Sequence, residues 1–228
     1  GQQRRTPGRG AVRRAIVAII GDDLKVVPGS AEAARVKDAL IAKGAWSQYL
    51  EVGIGPDAEI FSKALPLASV GVGAEIGVLA ASSWNNPEPE AVLVVSSDGR
   101  IVGATLGNDV NLRDIEGRSA LLLPKAKDNN ASSATGPLIR LFDSGFSLDD
   151  VRSMEVRLTV RGEDGYVLEA ASDMSQISRD PESLVAQLIG PHHQYPDGAL
   201  LFLGTLFAPV DDRGEAGKGF THHVGDIV

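Results

Sequence analysis

Two short apolar runs around a tight-turn signal constrain the fold of this chain more than any other feature. Residues 91–95 (Ala-Val-Leu-Val-Val) and 101–106 flank the stretch Ser-Ser-Asp-Gly-Arg at 96–100. Apolar and β-branched runs on either side of an Asp-Gly pair are typical of a β-hairpin, because tight hairpin turns need residues that tolerate positive φ. The sequence therefore predicts two antiparallel strands joined at Asp98 and Gly99.

The same hairpin is predicted to bring acidic side chains together. Glu88 and Glu90 are two residues apart, so on a strand both leave the same face. If Asp98 and Gly99 are the central turn residues, Glu88 lies opposite Asp109; a four-residue loop gives the same pairing, whereas a three-residue loop would break it. Opposed residues share a face with Cβ atoms ~4.5–5.5 Å apart.

Like charges placed in this way repel one another, and a divalent cation would offset the repulsion. Oxygen-only ligands suit Mg²⁺, Mn²⁺ or Ca²⁺. Glu88, Glu90 and Asp109 are therefore candidate metal ligands. The spacing by itself also fits a solvated acidic edge of a sheet.

The remaining elements indicate an α+β, mainly β protein with short helices. Residues 1–50 are predicted to be helical, with Ser30 as an N-cap and an apolar stripe at Val36, Leu40 and Ile41. Further elements are predicted at 154–160 and 166–170 (a second hairpin), at 181–189 (a helix) and at 199–203 (a strand).

Charge and composition exclude several classes of partner. With 22 basic and 30 acidic residues the net charge is −8, which argues against nucleic acid. The sequence contains no apolar run of about 18 residues, the length that a membrane span needs. The absence of cysteine excludes thiolate zinc sites and Cys nucleophiles, and is compatible with a cytoplasmic protein.

Several motifs in order resemble the core of the fumarylacetoacetate hydrolase superfamily. They are Ile60-Phe-Ser-Lys63, Glu88-Pro-Glu90, Gly107-Asn-Asp-Val-Asn-Leu-Arg-Asp114, Lys127-Asp128 ahead of Gly136-Pro137, and Leu203-Gly-Thr205. Within the superfamily the chain is most similar to dehydratases of 2-keto-3-deoxy sugar acids of the 2-keto-3-deoxyarabinonate type. Three details carry that likeness: Glu59 directly before Ile60-Phe61, the short interval between Glu90 and Asp109, and the segment 123–127.

The resemblance implies a mixed β-roll or sandwich, an Mg²⁺-type cofactor and a homodimer or homotetramer. The residue pattern divides the chain into a helical segment at 1–50, a candidate lid, and a catalytic domain at 51–228. The implied reaction removes water from a 2-keto-3-deoxy sugar acid through a metal-stabilised enolate and gives a 2,5-dioxo acid. This places the chain in sugar acid catabolism.

The resemblance also assigns roles to individual side chains. Glu59 is expected to abstract the C3 proton and to protonate the departing C4 hydroxyl, and Lys127 to neutralise charge on the substrate. Lys63 and Thr205 are expected to bind the substrate carboxylate. All four have structural alternatives: Glu59 as an ordinary first-turn helix acid, Lys127 as a surface lysine, Lys63 as a structural lysine and Thr205 as a strand residue. An ion pair between Arg113 and Asp114 is also expected.

Two other functions remain open at this point. One is a C–C bond hydrolase of an acylpyruvate or a fumarylacetoacetate-like diketo acid; such enzymes commonly use a His–Glu pair upstream of Phe61, and no histidine precedes His192. The other is a non-catalytic protein that binds a 2-oxo acid.

Overall fold

The computed structural model describes residues 26–205, 207 and 209–228. Its contacts divide the chain into two compact units, a first unit of residues up to 60 together with 178–188, and a second unit of residues 61–177 and 189–228. Residues 1–25 of the predicted helical segment lie outside the described residues. The boundary after residue 50 and the lid role stay predictions.

The described helices and strands have the following bounds. The helices are α1 (Ala31–Ala42), α2 (Gln48–Ile54), α3 (Arg113–Glu116), α4 (Leu123–Lys127), α5 (Leu148–Ser153) and α6 (Pro181–Leu188). The strands are β1 (Ser69–Gly71), β2 (Asn85–Asn86), β3 (Pro89–Val95), β4 (Ile101–Asp109), β5 (Asn111–Leu112), β6 (Ser133–Leu141), β7 (Glu155–Arg161), β8 (Val167–Asp173) and β9 (Ala199–Phe202). Among these residues no helix is long and apolar enough to cross a bilayer.

The first unit is helical and has its own small core. The Ser30 Oγ accepts a hydrogen bond from the Ala33 N–H at 3.1 Å, which confirms the predicted N-cap of α1. Val36 and Leu40 are fully buried in a cluster with neighbouring apolar residues. Ile41 is 51% exposed, so the prediction that it extends the apolar stripe was wrong.

The second unit is built around a sheet in the order β1-β6-β4-β3-β9. β1 runs parallel to β6, whereas β3 runs antiparallel to both β4 and β9. Because β3 has a neighbouring strand on each side, Ala91, Val92 and Leu93 are fully buried. This central pair, β3 and β4, carries the predicted acidic residues.

The β3–β4 hairpin has the predicted register, although its turn differs from the prediction. Pro89 pairs with Asn108 and Glu90 with Gly107, as required for Glu88 to lie opposite Asp109. The Ser96 N–H donates to the Arg100 carbonyl at 2.9 Å, and Gly99 has φ +80°, which defines a three-residue loop. A bulge at Val102 adds one residue to β4 and restores the register that such a loop would otherwise break.

The second predicted hairpin is also present, as β7 and β8. Buried and exposed residues alternate along β7, so one face contributes Leu158 and Val160 to the core of this unit. Beside the hairpin, the buried guanidinium of Arg213 donates to Asp164 in the turn and to Asp226 near the C-terminus. This double ion pair fastens the C-terminal residues to the hairpin.

Candidate metal centre

Three carboxylates meet where β3 begins and β4 ends. Glu88, Glu90 and Asp109 each offer one oxygen, and these oxygens lie within 4.8 Å of one another. All three residues are buried, with exposed fractions of 9%, 3% and 6%. The Asp109 N–H donates to the Glu88 carbonyl at 2.9 Å, so backbone pairing continues one residue past β3. The predicted convergence on one face is therefore present, and a buried cluster replaces the solvated edge that the spacing had left open.

Two lysines supply positive charge to this cluster. Lys127, the last residue of α4, is 4% exposed, and its ammonium donates to Asp109 Oδ2 at 2.7 Å and to Glu88 Oε2. The reading of Lys127 as a surface lysine is therefore wrong. The Lys63 Nζ lies 3.2 Å from Asp109 Oδ1, but it donates to the Ser132 carbonyl and hydroxyl, both at 2.8 Å, and to the Lys127 carbonyl.

The electrostatics of the cluster favour a bound cation. Burial, followed by the charges of Asp109 and Glu88, raises the pKa of Glu90 to about 8. Burial also raises the pKa of Glu88. Burial alone would lower the pKa of Lys127, but Glu88 and Asp109 raise it above its ordinary value. Two lysines thus face three buried carboxylates, two of which are costly to ionise.

The ligand set fits a hard divalent cation. All donors are carboxylate oxygens, which Mg²⁺, Mn²⁺ and Ca²⁺ prefer. Asp109 Oδ1 is buried and accepts no hydrogen bond of good geometry among the described residues, although it forms an ion pair with the Lys63 ammonium at 3.2 Å. Buried polar atoms are usually hydrogen-bonded, so an oxygen held only by an ion pair fits the role of a cation ligand.

Three further residues hold the carboxylates in place, and the sequence reasoning missed them. The Asn108 Oδ1 accepts from the Glu88 N–H at 3.1 Å, and the Gly204 N–H donates to Glu90 Oε2 at 2.7 Å. The Asn111 amide donates to Glu88 Oε1 at 2.9 Å. Asn111 could have been suspected from the sequence, because it stands two residues after Asp109 within the segment 107–114.

The other predicted site residues have different surroundings. The Thr205 hydroxyl donates to the Phe207 carbonyl at 2.6 Å, so its substrate-binding role, like that of Lys63, stays a prediction. The expected ion pair between Arg113 and Asp114 is not present among the described contacts. Instead, Asp114 accepts from the Ser82 hydroxyl at 2.7 Å, and the Arg113 guanidinium lies 4.8 Å from the centre of the Trp84 ring.

Glu59 belongs to the first unit, and its catalytic role stays a prediction. The segment that precedes it is firmly held within that unit. The buried Arg179 donates to the carbonyls of Val52, Gly55 and Asp57 at 2.7–2.9 Å, where α2 ends. The Ala58 N–H donates to the Gln187 side chain at 2.6 Å.

Comparison with known proteins shows what this fold and cluster resemble. No protein-family model matches the chain. It is 35% identical over 156 residues to 2-dehydro-3-deoxy-D-arabinonate dehydratase of Saccharolobus solfataricus, covering 68% of this chain and 51% of that protein. It is 33% identical over 161 residues to a probable 2-keto-3-deoxyxylonate dehydratase of Haloferax volcanii, covering 71% and 54%.

A solved structure of a dehydratase is similar to this chain as well. The structure superposes with a TM-score of 0.65 and 32% identity on 2-keto-3-deoxy-D-arabinonate dehydratase complexed with magnesium and 2,5-dioxopentanoate, covering 79% of this chain and 60% of that one. The chain belongs to the fumarylacetoacetate hydrolase superfamily, as its motifs indicated, and the mainly β fold implied by that resemblance is confirmed. It spans about half the length of the curated relatives it matches.

Proposed function

We propose that this chain carries the metal centre of a dehydratase that acts on a 2-keto-3-deoxy sugar acid and forms a 2,5-dioxo acid. The observation that carries the proposal is the buried cluster of Glu88, Glu90 and Asp109, whose ligand oxygens lie within 4.8 Å of one another. The dehydratase names of the two curated relatives support the reaction class. The magnesium in the solved dehydratase structure supports the choice of Mg²⁺.

In this proposal Glu88, Glu90 and Asp109 hold Mg²⁺. The bound cation supplies Lewis acidity toward the carboxylate and keto oxygens of a 2-oxo acid. Burial of the cluster keeps water away from the site and strengthens each charge interaction there.

The protein side chains then handle the protons and the substrate charge. Glu59 takes a proton from C3, and the C4 hydroxyl departs as water after receiving that proton, which leaves a C3=C4 double bond conjugated with the 2-keto group. Loss of a C5 proton and return of a proton to C3 move the double bond to C4=C5 as an enol. This enol gains a proton on C4 and loses its O–H proton to give the 2,5-dioxo acid. Such a base contributes typically about 10²–10⁴-fold to the rate. Lys127 turns from the carboxylates toward the substrate carboxylate, while Lys63 supports the loop at Ser132 and Thr205 contributes to holding the substrate.

Incubation of the chain with Mg²⁺ and 2-keto-3-deoxy-pentonates tests the proposal, with the 2,5-dioxo acid measured as product. We expect Glu88→Gln to lower kcat/KM at least about 100-fold, because losing a metal ligand removes several kcal/mol of transition-state stabilisation. Glu155→Gln, the same change on the exposed face of β7, should leave activity unchanged.

Parallel incubations separate the alternatives. Release of pyruvate from an acylpyruvate without consumption of the sugar acid would replace the proposal by a C–C hydrolase. Binding of Mg²⁺ and pyruvate without turnover of either substrate would indicate a non-catalytic binding protein. A homodimer or homotetramer and a cytoplasmic location also stay predictions, the first of which sedimentation of the purified chain would test.

A further inference from the structure

The amide of Asn111 links two carboxylates, one inside the acidic cluster and one outside it. Its Nδ2 donates to Glu88 Oε1 at 2.9 Å and to Glu116 Oε2 at 2.6 Å. Asn111 is 2% exposed on β5, and Glu116 is the last residue of the following short helix α3. The two hydrogen bonds use both donors of one amide group.

The chemistry of these contacts fixes the orientation of the Asn111 side chain. Both neighbours are carboxylates, which in the ionised form accept hydrogen bonds only, so the NH₂ side of the amide must face them. The reversed orientation would place Oδ1 against two acceptors. Asn111 Oδ1 itself has no hydrogen-bond partner among the described residues. The side chain therefore keeps this orientation at the expense of an unsatisfied carbonyl oxygen, which shows how strongly the carboxylates determine it.

The two oxygens of Glu88 have different partners. Oε1 accepts from Asn111, whereas Oε2 accepts from the Lys127 ammonium, which also contacts Asp109 Oδ2. Lys127 thus marks the side of Glu88 that faces the other carboxylates, and Asn111 holds the opposite oxygen. If the Lys127 ammonium moves away from Glu88, the hydrogen bond from Asn111 still sets the rotation of the Glu88 carboxylate.

We infer that Asn111 is a positioning residue that orients Glu88 as a metal ligand, with Glu116 fixing the amide from the outer side. The inference rests on the proposed metal centre and adds a residue to it. Hydrogen-bond partners behind metal ligands commonly contribute 10–100-fold to metal affinity or activity, because they hold the ligand in its binding orientation.

Mg²⁺ binding to the purified chain, measured by calorimetry, tests this role. Asn111→Leu keeps the size of the side chain and removes both donors, and we expect it to weaken Mg²⁺ binding about 10–100-fold. Asn85→Leu is the matched control, since Asn85 is 4% exposed and lies on the paired strand β2. Asn85→Leu should weaken Mg²⁺ binding less than two-fold, even if it lowers the melting temperature as much as Asn111→Leu does.

A double substitution shows whether Asn111 acts through Glu88. On a Glu88→Gln background, Asn111→Leu should add less than a two-fold loss of Mg²⁺ affinity, because the ligand that it orients is already altered. A full additional loss would show that Asn111 acts on the site in another way and would overturn the inference. If Asn111→Leu does not fold, Asn111→Ser, which creates no steric clash, replaces it with the same expectation.

The outcomes separate this inference from the proposed function. Wild-type chain that binds Mg²⁺, together with an Asn111→Leu variant that binds it equally well, overturns the positioning role and leaves the metal centre standing. Wild-type chain that fails to bind Mg²⁺ overturns the metal centre and, with it, the positioning role. Weakened binding in the Asn111 variant alone supports both.

Discussion

Replacement of Lys127 by methionine tests the charge balance of the acidic cluster most directly. The Lys127 ammonium is buried and serves two carboxylates at once, Glu88 and Asp109. Methionine has a similar length and flexibility but no charge. Lys127→Met therefore leaves the packing near α4 largely intact and removes one positive charge from beside three buried carboxylates.

The size of the effect without metal follows from burial. Breaking a buried ion pair typically costs about 3–5 kcal/mol, because the remaining charge stays buried without a partner. Two features reduce this cost. Lys63 remains 3.2 Å from Asp109, and burial raises the pKa of Glu88, so that this carboxyl takes up a proton more easily. We expect a loss near 3 kcal/mol, equivalent to a fall of roughly 6–12 °C in Tm for a chain of this size.

Mg²⁺ should stabilise Lys127→Met more strongly than it stabilises the wild type, although the variant is the less stable protein without metal. In the wild type, a bound cation and the Lys127 ammonium repel each other, whereas in Lys127→Met this repulsion is absent. Saturation at about 100 times Kd stabilises a protein by ~2.7 kcal/mol, and each ten-fold gain in affinity adds about 1.4 kcal/mol. Mg²⁺ should therefore stabilise Lys127→Met more than the wild type, although the variant should lack the dehydratase activity proposed above.

Urea unfolding in EDTA and in MgCl₂ measures both effects. Lys125→Met is the control, because Lys125 is exposed on the same short helix and should change the free energy of unfolding by less than about 0.5 kcal/mol. Equal stability of Lys127→Met and Lys125→Met in EDTA would refute the reasoning. So would a smaller stabilisation by Mg²⁺ in Lys127→Met than in the wild type.

Three further predictions concern stability in other parts of the chain. Burial lowers the pKa of His222 from 6.5 to about 4, so the unfolded state binds more protons than the folded state between these two pH values. The contribution of His222 to the free energy of unfolding is therefore fully present above pH 6.5 and falls by roughly 3 kcal/mol as the pH drops to 4. Arg213→Met leaves Asp226 buried without its guanidinium, and we expect urea unfolding to show a loss of about 3–5 kcal/mol. Ala131 has φ +54°, a conformation that costs alanine roughly 1–2 kcal/mol. Ala131→Gly should therefore raise the free energy of unfolding by about 0.5–1 kcal/mol, because the greater flexibility of glycine in the unfolded chain offsets part of the relief.

Matched variants control these three measurements. His222→Gln should remove the His222 share of the pH dependence, and an unchanged pH profile would contradict its assignment. Asp164→Asn should cost less than about 1 kcal/mol, because Asp164 is far more exposed than Asp226. Ala134→Gly, in the extended strand β6, should destabilise the protein; a gain there equal to that of Ala131→Gly would refute the argument from positive φ.

Local patterns predicted those features whose causes lie close together in the chain. The Ser30 cap needs only the backbone N–H three residues later, and the hairpins need a turn signal between alternating or apolar runs. The register of β3 against β4 was predicted correctly for a reason that was partly wrong. The loop has three residues, and the bulge at Val102 compensates for it, because the buried pairing of Glu90 with Gly107 tolerates no slip to the other face.

Strand alternation, which depends only on neighbours in the chain, was enough to show that Glu88 and Glu90 share one face. The place of Asp109 opposite Glu88 also depends on the bulge at Val102, which the sequence pattern did not reveal. Only the tertiary structure decided that Lys127 is buried between Glu88 and Asp109, and that Asn111 holds Glu88 from behind. Those contacts depend on how α4, β5 and β3 pack together. A side chain chooses its ion partner by distance in space and by the loss of competing water, and neither quantity can be read from sequence spacing.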